Sequence, residues 1–142
     1  MLHEDVEDAD DITAADLRRR YERAVAGAVE AAGIERAAEE TGVEADRLEA
    51  LLAEEAVDLT MEEAAAALAL SDDYPDAESI LLEVRDSVML GMSSAVLDVD
   101  ALAADLPELG PREIQQKIEG RQPMTLDEYA RINHLITVRN PY

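Results

Sequence analysis

The chain is 142 residues long and carries 34 acidic against 12 basic residues, a formal net charge of −22. Cys, Phe and Trp are absent, which excludes disulfides and thiolate chemistry and leaves Leu, Val, Ile, Met and Ala to build any core. No run of 18 or more uncharged apolar residues occurs, and the start Met1-Leu2-His3-Glu4-Asp5 lacks the basic and apolar regions of a signal peptide, so a cytoplasmic protein without membrane contact is expected.

In chain order, residues 1–12 are mostly Asp and Glu and read as a disordered acidic tail. Thr13 with Asp16 predicts a capped helix to about Ala32, with Leu17, Tyr21, Ala24, Val25, Ala28 and Val29 on its apolar side. Its other side carries Arg18, Arg19, Arg20 and Arg23, the one dense basic patch. These arginines are candidate phosphate contacts, or else members of i,i+4 pairs such as Arg18–Glu22. Gly33 ends that helix, and Ile34–Thr41 forms a short one stopped by Gly42. Helices over Glu44–Glu54 and Thr60–Leu70 complete a first helical unit, 13–70. The turn formers of Ser71–Asp76 mark a linker, taken as 71–77.

A second long helix is predicted over Glu78–Met92, with Gly91 and Ser93-Ser94 breaking or kinking it. Ile80, Leu81, Val84, Val88, Met89 and Met92 exceed one narrow stripe. Residues 80–97 should therefore be buried on more than one side, either centrally or across a homodimer seam. Asp98 or Asp100 can cap Val99–Leu106, which Pro107 closes. Helices over 110–119 and 125–138 complete a second unit, 78–138, followed by a tail, 139–142. No segment alternates with period two long enough for a sheet, so the expected fold is an all-α bundle of about eight helices.

Two stretches share one grammar. Leu109, Ile114 and Ile118 are spaced five and four apart, Pro111 opens their helix, Gly120 ends it, and Thr125 with Glu128 forms a capping box. Val43, Leu48 and Leu52 repeat the spacing, and Leu59-Thr60-Met61-Glu62-Glu63-Ala64 matches Met124-Thr125-Leu126-Asp127-Glu128-Tyr129 at an offset of 65 to 66 residues. The chain reads as two degenerate copies of one helical unit.

Over about 34–70 and 98–137 this pattern resembles lambda-repressor-type helix-turn-helix domains, a resemblance that implies an all-helical fold and double-stranded DNA as partner. Helix 110–119 would then present Arg112, Gln115 and Gln116, with Lys117 and Arg121 nearby. Gln can pair with adenine and Arg with guanine in the major groove. The matching helix of the first copy presents Glu44, Asp46, Arg47, Glu49 and Ala50, an acidic face poorly suited to phosphates.

The chain as a whole also resembles a functionally uncharacterised family of small acidic haloarchaeal proteins. The carrying residues are Leu90-Gly-Met-Ser-Ser-Ala-Val-Leu-Asp-Val-Asp-Ala-Leu102 and Gln115-Gln-Lys-Ile-Glu-Gly-Arg-Gln-Pro-Met-Thr-Leu-Asp-Glu128. That resemblance brings no activity. It agrees with the charge, because in molar salt the Debye length falls to about 3 Å and a dense acidic surface is tolerated. The other reading of the charge is a surface for a basic partner.

Catalytic and metal-binding patterns are not evident. His3 and His134 have no metal-ligand spacing, Asp98-Val-Asp100 lacks the remainder of a calcium loop, and no phosphate loop or nucleophile–base pairing occurs. The expectation is no enzyme, no cofactor, no metal and no small-molecule ligand. Two functions stay open: a DNA-binding or transcription-associated protein, or a helical interaction module that no longer binds DNA.

Overall fold

The computed structural model describes residues 12–139, so the acidic stretch 1–11 and residues 140–142 of the expected tails lie outside the described residues. Ile12, assigned above to the tail, belongs to the fold. It packs half-buried against the core, and its carbonyl lies 2.6 Å from Nε2 of His134.

Eight helices make up the described residues: α1 (Ala14–Ala32), α2 (Ile34–Thr41), α3 (Ala45–Leu52), α4 (Met61–Leu68), α5 (Ala77–Ala95), α6 (Val99–Asp105), α7 (Pro111–Ile118) and α8 (Leu126–Arg139). Local chemistry sets where they start. Thr13 and Asp16 close a reciprocal capping box on α1, and so do Thr60 with Glu63 on α4. Thr125 and Glu128 repeat it on α8, with bonds of 2.9 and 3.1 Å. Asp76 accepts from Ser79 N to start α5, and Asp98, not Asp100, accepts from Ala101 N to start α6. Gly42 and Gly120 follow α2 and α7 with left-handed backbone.

The element order runs long, short, short, then a core helix, twice. The two long helices also match internally. Leu17, Tyr21 and Val25 of α1 fall on Ile80, Val84 and Val88 of α5 at one constant offset, and all six are buried. The same offset carries Gly33 onto Val96, and both have positive φ. The halves are not separate bodies. α1 packs on α4 and α8, and α5 packs on the same two helices. One hydrophobic cluster therefore draws side chains from Leu17 through Ile136. Each large aliphatic side chain taken fully from water there contributes about 1.5–3 kcal/mol.

Two expectations about the second long helix need correction. Gly91 and Ser93-Ser94 do not break it, since α5 runs unbroken to Ala95. Gly91 is where α5 meets α8: a Cβ at that position would lie 2.6 Å from Cγ2 of Ile136. The glycine is thus an approach point and not a hinge. Of the two placements expected for 80–97, central burial holds for one side of the helix only. Ile80, Val84, Val88 and Ala95 face the core, while Leu82, Met89, Leu90 and Val96 are exposed. The helix with the most buried residues is α8, with Leu126, Tyr129, Ala130, Ile132, Asn133, Leu135 and Ile136.

Candidate interaction surfaces

Helix α7 is amphipathic, with Ile114 and Ile118 buried against the bundle and Pro111, Arg112 and Gln115 exposed. Its polar side chains are mostly engaged with one another. Gln115 Nε2 donates to Glu119 Oε1 at 2.7 Å, and Gln116 Oε1 accepts from the Gln122 amide. Arg121 lies 3.3 Å from the same Glu119 carboxylate. Arg112 is exposed at the first turn and has no partner among the described residues.

Lys117 does not join that face. Its ammonium donates to Glu128 at 2.8 and 3.1 Å and to the Pro123 carbonyl at 3.0 Å, and its side chain is only 11% exposed. The first half contains the same device. Arg47 of α3 donates to both Glu63 oxygens, at 2.7 and 2.9 Å, and to the Asp58 carbonyl at 2.6 Å. In each case the cation joins the glutamate of a capping box to the carbonyl two residues before the capping threonine. It pins α3 onto the start of α4, and α7 onto the start of α8. Hydrogen bonding from Arg47 holds the Glu63 carboxyl below the usual carboxylate range, against a smaller opposing effect of burial. Spacing alone could not separate Lys117 from its neighbours on α7. The signal available was the matching position of Glu63 and Glu128 in two capping boxes, each with a cation on the preceding helix.

The arginines of α1 are dispersed among acids. Arg18 is half-buried and forks to Asp127 Oδ1 at 3.2 Å and the Val57 carbonyl at 3.1 Å, with Glu22 at 3.5 Å. It ties α1 to α8 and to the strand of chain before α4. Arg19 pairs with Asp16 and Arg23 approaches Glu54, while Arg20 is exposed and also engaged. Arg18, Arg19 and Arg23 line a surface groove of about 750 Å³, but Glu22, Glu30, Glu54 and Glu55 line it too. α1 and α7 are not packed on each other: α1 meets α2, α3, α4 and α8, and α7 meets α5 and α6. The two expected contact sets therefore lie on helices that do not pack on each other.

The remaining surface feature is the outer side of α5, within the 80–97 stretch expected either at the centre or at a homodimer seam. Of the five large apolar side chains left exposed among the described residues, Leu82, Met89 and Leu90 are on α5 and Val96 is its C-cap. Leu90 is 70% exposed and Val96 88%. The corresponding outer positions of α1 are Arg19, Ala26, Gly27 and Gly33. The apolar face thus belongs to α5 alone and does not follow from the shared architecture. No single described helix is long and apolar enough to cross a membrane. Among the described residues no group of three or more His, Asp or Glu is placed to hold a metal ion.

Residues 17–139 match the model of a family described as of unknown function, DUF5791. No curated protein and no solved structure matches the chain.

Proposed function

We propose, for a chain that belongs to the DUF5791 family, a role as a helical protein-interaction module whose contact surface is the outer side of α5. The observation that carries this reading is the concentration of exposed Leu82, Met89, Leu90 and Val96 on that one helix. Isolated apolar residues on a surface need no explanation, but four gathered on one helix of a highly charged protein make it the candidate contact site. The engagement of Arg18, Arg19, Arg23, Lys117 and Arg121 with carboxylates supports it from the other side, by leaving little free positive charge for phosphates. The acidic remainder of the surface suits life in molar salt, and we place the protein in the cytoplasm of a halophile.

The test is photo-cross-linking inside the cell from a reactive side chain at position 90, with position 27 on α1 as control. Protein adducts from position 90 but not from position 27 are expected. Equal adducts from both positions, or none from either, would overturn the reading.

A second reading rests on Arg112, exposed and without a partner among the described residues at the start of α7, with Gln115 one turn on. In a helix-turn-helix protein that end of the helix meets base edges. Under it, genomic DNA fragments selected in molar KCl bind the folded protein, and Arg112→Ala costs about 1–3 kcal/mol of discrimination at one base pair. Failure to select any DNA removes this reading and leaves the first untouched.

A further inference from the structure

Resting on the interaction-module reading, we infer that the partner is a second copy of this chain, with α5 packed antiparallel on α5 about a two-fold axis at Met89. Leu82, Met89 and Val96 recur every seven residues, so they line one side of the helix. The set is symmetric about Met89. Antiparallel pairing then brings Met89 onto Met89 and Leu82 onto Val96 of the other copy, the self-complementary form that a two-fold contact requires. Leu90 flanks the axis. Asp86, the acid on this side, falls opposite Met92 of the other copy, and Ser93 falls opposite Arg85; Asp86 and Ser93 are exposed in the single chain.

Charge selects the occupant. Each copy carries a formal net charge of −22, and although molar salt confines repulsion to about 3 Å, like charges pressed together at a seam still oppose contact. Residues 87–97 hold no charged side chain, the longest such run in the chain. It is the place where a like-charged molecule can approach at least cost. A basic partner would be drawn to the acidic surface that covers the remainder and would have no reason to prefer this stretch.

Val96 supplies an independent argument. It sits at φ 56, ψ 48, a left-handed conformation that is an outlier for a β-branched residue, and it is 88% exposed. The matching residue of the first half is Gly33, for which a positive φ carries no such penalty. Inside one chain, valine at position 96 is inferior to glycine on both counts, backbone strain and exposed apolar surface. Contact with Leu82 of a second copy gives the isopropyl group a use.

The experiment uses the full chain in molar KCl, where sedimentation should give twice the 15.5 kDa of one chain. Leu90→Glu and Val96→Gly should each weaken the dimer at least tenfold. Val96→Gly should leave the melting temperature of the dilute, monomeric protein unchanged or higher, which separates loss of contact from loss of fold. Gly27→Glu, the matching position on α1, should leave the dimer intact. The chain has no cysteine, so Met89→Cys should oxidise to a covalent dimer, as two thiols close to a two-fold axis can meet the short Cα separation a disulfide needs. Gly27→Cys should not. A monomer at every concentration, or a dimer indifferent to both Leu90→Glu and Val96→Gly, overturns the inference. If the pure protein is monomeric while position 90 still captures a different protein in cells, the second copy is excluded and the interaction-module reading stands. If position 90 captures nothing, both fall.

Discussion

Thr60 and Thr125 face one another as an isolated antiparallel bridge, the two capping threonines of the two halves brought side by side. The bonds around them are reciprocal: Met61 N donates to the Met124 carbonyl at 2.7 Å, and Leu126 N donates to the Leu59 carbonyl at 2.8 Å. Exchanging 59–61 for 124–126 turns one bond into the other. Each threonine also holds the first turn of its own helix, so helix start and contact between halves are one structural unit. Thr60→Ala and Thr125→Ala should each cost about 1 kcal/mol through the lost cap. Their double variant should depart from additivity, because residues in contact couple. Urea melts of the four proteins would show this, and strict additivity would mean that the bridge transmits nothing.

Lys117 should matter to stability more than to any ligand. Its pair with Glu128 is largely out of water, with side chains 11% and 13% exposed. Removing one member of a buried pair leaves a charge without a partner, at a cost of about 3 kcal/mol. Lys117→Ala should therefore lower the midpoint of denaturation strongly. Arg112→Ala, on the same helix but exposed, should barely move it. Equal small effects would return Lys117 to the outer face of α7.

Acid should destabilise the fold through its caps. Thr13 holds the Asp16 carboxyl below its ordinary range, Arg47 does so for Glu63, Ser79 for Asp76 and Arg131 for Glu108. A carboxyl whose folded pKa is depressed gives stability that is complete above its unfolded pKa, near 4, and is lost as pH falls through the lower folded value. In molar KCl, where repulsion among acids is screened, the melting temperature should hold above about pH 5 and fall below about pH 4. Glu63→Gln should be less stable at neutral pH and should lose less on acidification. An acid limb of the same depth in that variant would exclude Glu63 from the effect.

Gly91 should resist replacement. Alanine is favoured over glycine inside a helix by about 1 kcal/mol, but here its Cβ would meet Ile136 Cγ2 at 2.6 Å. Overpacking of this kind costs about 1–3 kcal/mol, so the net effect of Gly91→Ala should be destabilising. Adding Ile136→Ala should then cost less than it does in the wild type. A stabilised Gly91→Ala would show that α5 and α8 have room to part.

Folding should need salt. With 34 acids against 12 basic residues, self-repulsion in dilute buffer works against the compact state, and molar KCl removes it. Helical circular dichroism should decline on dialysis to low ionic strength and return with KCl. An unchanged spectrum and melting temperature in dilute buffer would sink the halophile reading.

The sequence by itself determined most of what depends on near neighbours, although it left Asp98 and Asp100 as alternative caps, put Asp76 in a linker and set a break at Gly91 that α5 does not have. Thr13, Thr60, Asp76, Asp98 and Thr125 start helices where the residue three positions on can complete or accept the cap, which is a local matter. Apolar spacing set the inward sides of α1 and α7, and the all-helical class followed from the absence of alternation. The duplicated grammar was legible for the same reason, since each copy repeats its own local rules.

Only the tertiary structure decided which groups were already taken. Arg18 finds Asp127, Lys117 finds Glu128, and Tyr21 accepts from Asn133 across the core at 2.9 Å. Nothing in the spacing of Arg18 or Tyr21 announces a partner so far along the chain. The same holds for α5. Its composition called for burial on several sides, but α4 and α8 cover one side, and Gly91 lets α8 come close there. Which of its apolar residues remain in water is set by the packing of distant helices, and periodicity within one helix carries no information about that.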